Sequence, residues 1–164
     1  ESIARYIKKE FNLAIGEQTA EALKINIGTC KVKPHEEEET QVIKGRDLVL
    51  GLPRQIEVTS SMVARAIEEP VNAIIAGIRR ILEKTPPELS ADIIDRGIWL
   101  TGGGALLRDL AERVSEETEM PCHVAEQPLE CVALGTGKAL DSLDQLKASG
   151  AILSVIRKGL LKGR

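Results

Sequence analysis

Apolar residues recur along this chain at intervals that change from segment to segment, and the changes mark its elements. Ile3, Tyr6, Ile7 and Phe11 fall on one helical face, with Lys8, Lys9 and Glu10 largely outside it. After Leu13-Ala14-Ile15 and Gly16, the positions of Ala20, Leu23 and Ile27 predict a second helix over 17–27, with Gly28 as its left-handed C-terminal cap. Thr40 to Lys44 and Gln55 to Thr59 alternate or are β-branched, and Gly45, Asp47, Gly51 and Pro53 lie between them. That pattern predicts an antiparallel pair with a long connection. Thr59 or Ser60 then caps the longest helix, which begins at Met62, Val63, Ala66 and Ile67. Pro70 is expected to kink or restart it, and the stripe continues through Val71, Ile74, Ile75, Ile78, Ile81 and Leu82 to Lys84. Thr85-Pro86-Pro87-Glu88 stops it, followed by a short turn from Leu89 to Ile94.

The stretch that follows carries the first hint of chemistry. Ile98-Trp99-Leu100 reads as a short buried strand, and Leu106, Leu107, Leu110, Ala111 and Val114 recur at helical spacing to about Thr118. Gly102, Gly103 and Gly104 therefore sit at a strand-to-helix turn. There, residues without Cβ allow a ligand onto the backbone, and free N–H groups favour an anion or a polar ring edge. The spacing matches neither of the familiar dinucleotide or phosphate loops, and a glycine turn is often only a tight turn. A second strand, Cys122 to Ala125, completes a strand–helix–strand unit with parallel strands, so the fold class is α/β. Pro128 is expected to open a further helix along Val132, Ala133, Thr136, Ala139, Leu140 and Leu143. Gly135 and Gly137 weaken it, which points to close approach by a backbone or a ligand.

Charge and composition remove several classes. The 164 residues carry a net charge of −3, which gives no reason to expect nucleic acid, and no stretch is long and apolar enough to span a membrane. Three cysteines, Cys30, Cys122 and Cys131, lack a C-x-x-C pair and read as free thiols in a reducing cytoplasm. A zinc site from these with His35 and His123 lacks ligand spacing, since adjacent Cys122 and His123 point to opposite sides of a strand. His35-Glu36-Glu37-Glu38-Glu39 reads as a solvated loop. Glu21 and Lys24, three residues apart, share one side of their helix and either pair in water or reach together to a ligand. Residues 151–164 are apolar and basic without an acid, an amphipathic pattern suited to an anionic membrane surface or to docking on the protein itself. The chain opens without Met inside a helical pattern, and reads as a fragment of a longer protein.

Several segments, in order, closely resemble the MreB family of bacterial actin-like rod-shape-determining proteins, within the actin, heat-shock chaperone and sugar kinase ATPase superfamily. They are Thr19-Ala20-Glu21-Ala22-Leu23-Lys24, the acidic loop followed by Gly45-Arg46-Asp47-Leu48 and Gly51-Leu52-Pro53-Arg54, and the turn Pro86-Pro87-Glu88-Leu89. Leu100-Thr101-Gly102-Gly103-Gly104-Ala105-Leu106-Leu107 and Ala125-Glu126-Gln127-Pro128-Leu129-Glu130-Cys131-Val132-Ala133 complete the set. The match runs from residue 1 to about 145 and leaves out the basic tail.

The resemblance implies the second half of an actin-like ATPase fold. Residues 1–59 would form a small helical and antiparallel subdomain, 60–148 a partial mixed-sheet subdomain flanked by helices, and 149–164 a basic tail. It implies ATP in the cleft between the two halves, with Glu21, Ala22, Leu23 and Lys24 on the adenine and ribose side. Gly102, Gly103, Gly104 and Ala105 would form the platform for adenosine and the α-phosphate. The two phosphate loops, the Mg²⁺ carboxylate and the residue that positions water have no counterpart in residues 1–164, so slow ATP hydrolysis is expected only of a longer protein. Family partners would be further copies in filaments, the cell-wall elongation machinery and the inner face of the cytoplasmic membrane, with rod shape as the outcome. A lobe of a chaperone or sugar kinase of the same fold, or a non-catalytic adaptor, are the alternatives.

Overall fold

The computed structural model describes residues 1–143 other than 33 and 35–37, so the predicted basic tail lies outside the described residues. α1 (Ser2–Phe11) buries Ile3 and Ile7 and ends where Asn12 turns left-handed at φ 50°, a conformation Asn tolerates well. β1 (Leu13–Ala14) leads into α2 (Glu17–Ile27), which buries Ala20, Leu23 and Ile27 as the spacing predicts.

β2 (Thr40–Asp47) and β3 (Pro53–Thr59) pair antiparallel from Thr40↔Thr59 to Arg46↔Pro53, and β1 adds on the far side of β2 with Leu13↔Asp47. Both strands run further than their patterns suggest, and the expected long connection is only Leu48 to Leu52. Asp47 makes this possible. Its buried carboxylate accepts the N–H groups of Val49 at 2.8 Å and Leu50 at 2.9 Å and an Arg54 N–H at 3.1 Å, while Gly51 takes φ 74°. Gly45 lies within β2 because a Cβ there would meet the Ala14 carbonyl oxygen at 2.5 Å.

Thr59 caps α3 (Ser60–Leu82) by accepting the Met62 N–H at 3.3 Å. The helix carries through Pro70 as one element, although the ring removes the donor for the Ala66 carbonyl. Val63, Ile67, Val71 and Ile75, four residues apart, form its buried seam, against which α1, α2 and α5 pack.

Residues 89–94 form no short turn: they belong to α4 (Pro87–Arg96), for which Pro87 supplies a preset first turn. α4 buries none of its residues, so no apolar periodicity announces it. β4 (Ile98–Leu100) pairs parallel with β5 (Cys122–Val124), Ile98 opposite Cys122 and Leu100 opposite Val124. The expectation of a buried β4 fails. Trp99 is 60 % exposed, because among the described residues this sheet has only two strands and nothing covers its outer face. The helix after the glycines is likewise divided: a 3-10 turn over Gly103–Leu106 precedes α5 (Leu110–Thr118), and Asp109 at φ 62° separates them. α6 (Cys131–Asp141) starts three residues beyond Pro128, whose carbonyl is committed to the glycine turn. α5 joins the core through Leu110 and Val114 and is tied at its rim by Lys31 to Glu112 at 3.0 Å and Glu116 at 2.8 Å.

The Leu50 and Val49 N–H groups, with Arg54 adding to them, hold the Asp47 carboxyl below its ordinary value. Its stabilising contribution is therefore fully present above about pH 4 and fades as pH falls through the lower folded-state value. Asp47→Asn keeps an acceptor without the titration. Thermal melts between about pH 2.5 and pH 5 are expected to give a shallower acid decline for this variant than for the parent, and parallel declines would contradict the assignment.

Candidate functional site

Glu21 and Lys24 project from α2 as a bonded pair, Nζ to Oε1 at 2.6 Å, both partly or fully open to solvent. They face a cleft of about 400 Å³ whose other walls are Glu1 at the start of α1 and Ile67 and Pro70 of α3. Ala22 lies half-buried beside a shallower concavity formed with Glu17 and Ile25. Leu23 is fully buried in the core, so any contact from it to a ligand is confined to its backbone. The amphipathic spacing that sends Leu23 inward is what turns Glu21 and Lys24 outward.

At the glycine turn, Gly102 takes φ 82° and donates its N–H to the Pro128 carbonyl at 2.6 Å. Ala105 donates to the Gly102 carbonyl at 3.1 Å and buries its methyl, anchoring the turn from below. The N–H groups of Gly103 and Gly104, at the open start of the 3-10 turn, meet no acceptor among the described residues. A Cβ at Gly102 or Gly104 would meet nothing within 4 Å, so the backbone lies under open space. Two unsatisfied donors beneath an uncovered surface suit an anion or the polar edge of a ring.

The cleft at Glu21 and Lys24 has no lining residue from the glycine turn. The two are joined by side chains that sequence reasoning missed. Arg108, just after the turn, donates through Nε to the Gly28 carbonyl at 3.0 Å and through Nη2 to the Asn26 carbonyl at 3.2 Å, and pairs through Nη1 with Glu39. The buried Thr29 hydroxyl donates to the Asp109 carboxylate, and the Cys30 N–H donates to the Arg108 carbonyl at 2.9 Å. An isolated Arg after two leucines reads as a solvated charge, so only the fold exposes this role. Glu39 is likewise engaged and not merely solvated.

Gly28 corrects another expectation. Its φ is −67°, not left-handed, and glycine is needed because a Cβ would lie 2.2 Å from the Lys24 carbonyl oxygen. Gly135 and Gly137 differ again, since no atom lies within 4 Å of a Cβ built at either, and the close approach expected there is absent from the described residues. Burial pushes the Cys30 thiol up to about 11, with Asp109 adding to it and Arg113 opposing, so it stays protonated near neutral pH and is a poor nucleophile. Among the described residues no group of three His, Cys, Asp or Glu side chains is placed to hold a metal ion.

These features, an antiparallel three-stranded sheet beside helices and a parallel strand pair bearing the glycine turn, define one lobe of an actin-like fold. The sequence profile described as MreB/Mbl protein matches residues 1–148. Cell shape-determining protein Mbl of Bacillus subtilis is 52 % identical over 144 residues, covering 88 % of this chain and 43 % of that protein. Cell shape-determining protein MreB of Escherichia coli is 44 % identical over the same number of residues, covering 88 % and 41 %. The crystal structure of MreB5 of Spiroplasma citri bound to AMPPNP superimposes with a TM-score of 0.82 at 34 % identity, over 91 % of this chain and 44 % of that one. The chain belongs to the MreB/Mbl family. It spans less than half the length of the relatives it matches.

The glycines make a paired prediction. Gly28→Ala drives a Cβ into the α2 backbone and is expected to lower the melting temperature by an amount equivalent to about 1–3 kcal/mol. Gly135→Ala meets open space inside α6 and is expected to be neutral or stabilising by up to about 1 kcal/mol. Thermal denaturation of the two variants checks this, and an equal loss in both would refute the distinction.

Proposed function

We propose that this chain is the adenosine-holding part of an ATP-binding, filament-forming bacterial actin-like cytoskeletal protein that governs rod cell shape and organises cell-wall synthesis. The observation that carries the reading is the glycine turn, with two N–H groups free of any acceptor among the described residues under open space. AMPPNP in the crystal structure of MreB5, a structural neighbour, supports it from outside. The proposed division of the chain is a small subdomain over 1–59, a partial large subdomain over 60–148 and a basic tail over 149–164.

In this reading Glu21 accepts hydrogen bonds from the ribose hydroxyls, and Lys24, its partner at 2.6 Å, orients that carboxylate. Leu23 fixes the helix by burial, Ala22 adds a small surface beside the pair, and Gly102, Gly103, Gly104 and Ala105 form the opposite platform. The free N–H groups there receive a polar ring edge or the α-phosphate. The nucleotide brings the bond to be hydrolysed. This chain binds and orients, and supplies neither the acidic phosphate loops nor the ligands for Mg²⁺. Slow ATP hydrolysis belongs to the longer assembly, as do filament contacts with further copies, the cell-wall elongation machinery and an attachment at the inner face of the cytoplasmic membrane. Among the described residues no helix is long and apolar enough to cross a membrane.

Lys24→Ala and Gly103→Val, made in the intact protein that carries this chain, are each expected to weaken ATP binding about tenfold or more, measured with a fluorescent analogue. Unchanged affinity in both variants would favour an adaptor that binds partners and no nucleotide.

A further inference from the structure

We infer that Arg108 is a positioning residue for the nucleotide site, clasping the end of α2 to the segment that leaves the glycine turn so that the two walls keep one spacing. The inference rests on the adenosine reading above. The chain of bonds is short and continuous. Gly28 donates its N–H to the Lys24 carbonyl at 3.1 Å, and its own carbonyl accepts Arg108 Nε at 3.0 Å. Arg108 lies four residues beyond Gly104, the last glycine of the turn. A second guanidinium nitrogen takes the Asn26 carbonyl at 3.2 Å, so the cation closes two carbonyls that the end of α2 leaves without helical partners.

The third arm reaches Glu39, whose carbonyl accepts the Ser60 N–H at 2.8 Å where α3 begins. One planar group thus joins the end of α2 to Glu39 at the root of β2, and Glu39 in turn holds the start of α3, all from the segment that leaves the glycine turn. Only a guanidinium offers donors in three directions in one plane; an ammonium on a flexible stem cannot meet all three at once. The main chain adds an independent bridge, Cys30 N–H to the Arg108 carbonyl at 2.9 Å. Removing the side chain therefore loosens the spacing of the walls without removing the link.

A simple helix cap and a positioning residue differ in what they change. A cap alters stability and leaves affinity among folded molecules as it was. A positioning residue alters affinity in molecules that remain folded. The test is titration of a fluorescent ADP analogue into the intact protein and its Arg108→Lys and Arg108→Ala variants, at a temperature where circular dichroism shows all three folded. Both variants are expected to bind about tenfold more weakly with full binding amplitude. Dissociation constants within about twofold of the parent, whatever the melting temperatures, overturn the inference and leave the adenosine reading standing. Absence of binding by the parent overturns the adenosine reading and this inference together. Should Arg108→Ala not fold, Arg108→Lys, which keeps the charge and loses the fork, carries the comparison.

Discussion

The buried seam of α3 is the constraint on which the rest of the structure depends. Val63, Ile67, Val71 and Ile75 repeat every four residues, and each is at least nine-tenths removed from solvent. Burying an aliphatic side chain of this size contributes about 1.5–3 kcal/mol, so these four side chains outweigh any ion pair on the surface. α1, α2 and α5 lean on the seam from separate sides, and their own buried residues, Ile7, Leu23 and Val114, belong to the same cluster. The sheet of β1, β2 and β3 joins it through Leu13, Ile43 and Val58. Everything that orients Glu21 and Lys24 follows from this, since α2 has one face to bury and must turn the other outward.

The same seam explains what the amino-acid pattern revealed and what it concealed. α1, α2, α3 and the β2–β3 pair were legible because burial on one face leaves a period in the sequence, and Glu21 with Lys24 was legible because helical spacing puts them on one side. α4 was not, because it buries nothing and leaves no period, and Pro87 serves a helix start as readily as a stop. β4 misled in the opposite sense. Its apolar residues predict burial, but burial needs covering layers, and this two-stranded sheet leaves Trp99 outside. Gly28 and Gly135 have the same side chain and opposite surroundings, one against the Lys24 carbonyl and one against nothing, a difference no local rule contains. The glycine turn itself was legible as a strand-to-helix bend, yet its two N–H groups without an acceptor among the described residues are a property of the folded turn.

The molecule is accordingly uneven. From α1 to the middle of α3, and again at α5, buried side chains are dense; over α4, β4, β5 and α6, Ala105 in the intervening glycine turn is the one buried hydrophobic residue. Val132 and Leu140 of α6 and Leu129 before it are exposed apolar side chains, Val132 at 76 %. Two parallel strands without covering helices on both faces are at the lower limit of what holds together in water. Local opening is cheapest where buried contacts are fewest, and the glycine turn stands on that side.

This places the polar contacts around Arg108 and Thr29 in a different light from ordinary surface pairs. Apolar packing holds the turn only in part, because Ile98 and Leu100 of β4 and Leu107 are half-buried against the core while α6 buries none of its residues. What remains is directional bonding: a guanidinium on two helix-end carbonyls, a buried hydroxyl on Asp109, and a backbone bridge from Cys30. Such bonds contribute about 1 kcal/mol each, far less than the seam, but they specify distance and angle where burial specifies only proximity. The proposed site, divided between a well-packed helix and a sparsely packed turn, needs that kind of specification. Its geometry is set by a few hydrogen bonds, while its stability is set elsewhere, on α3.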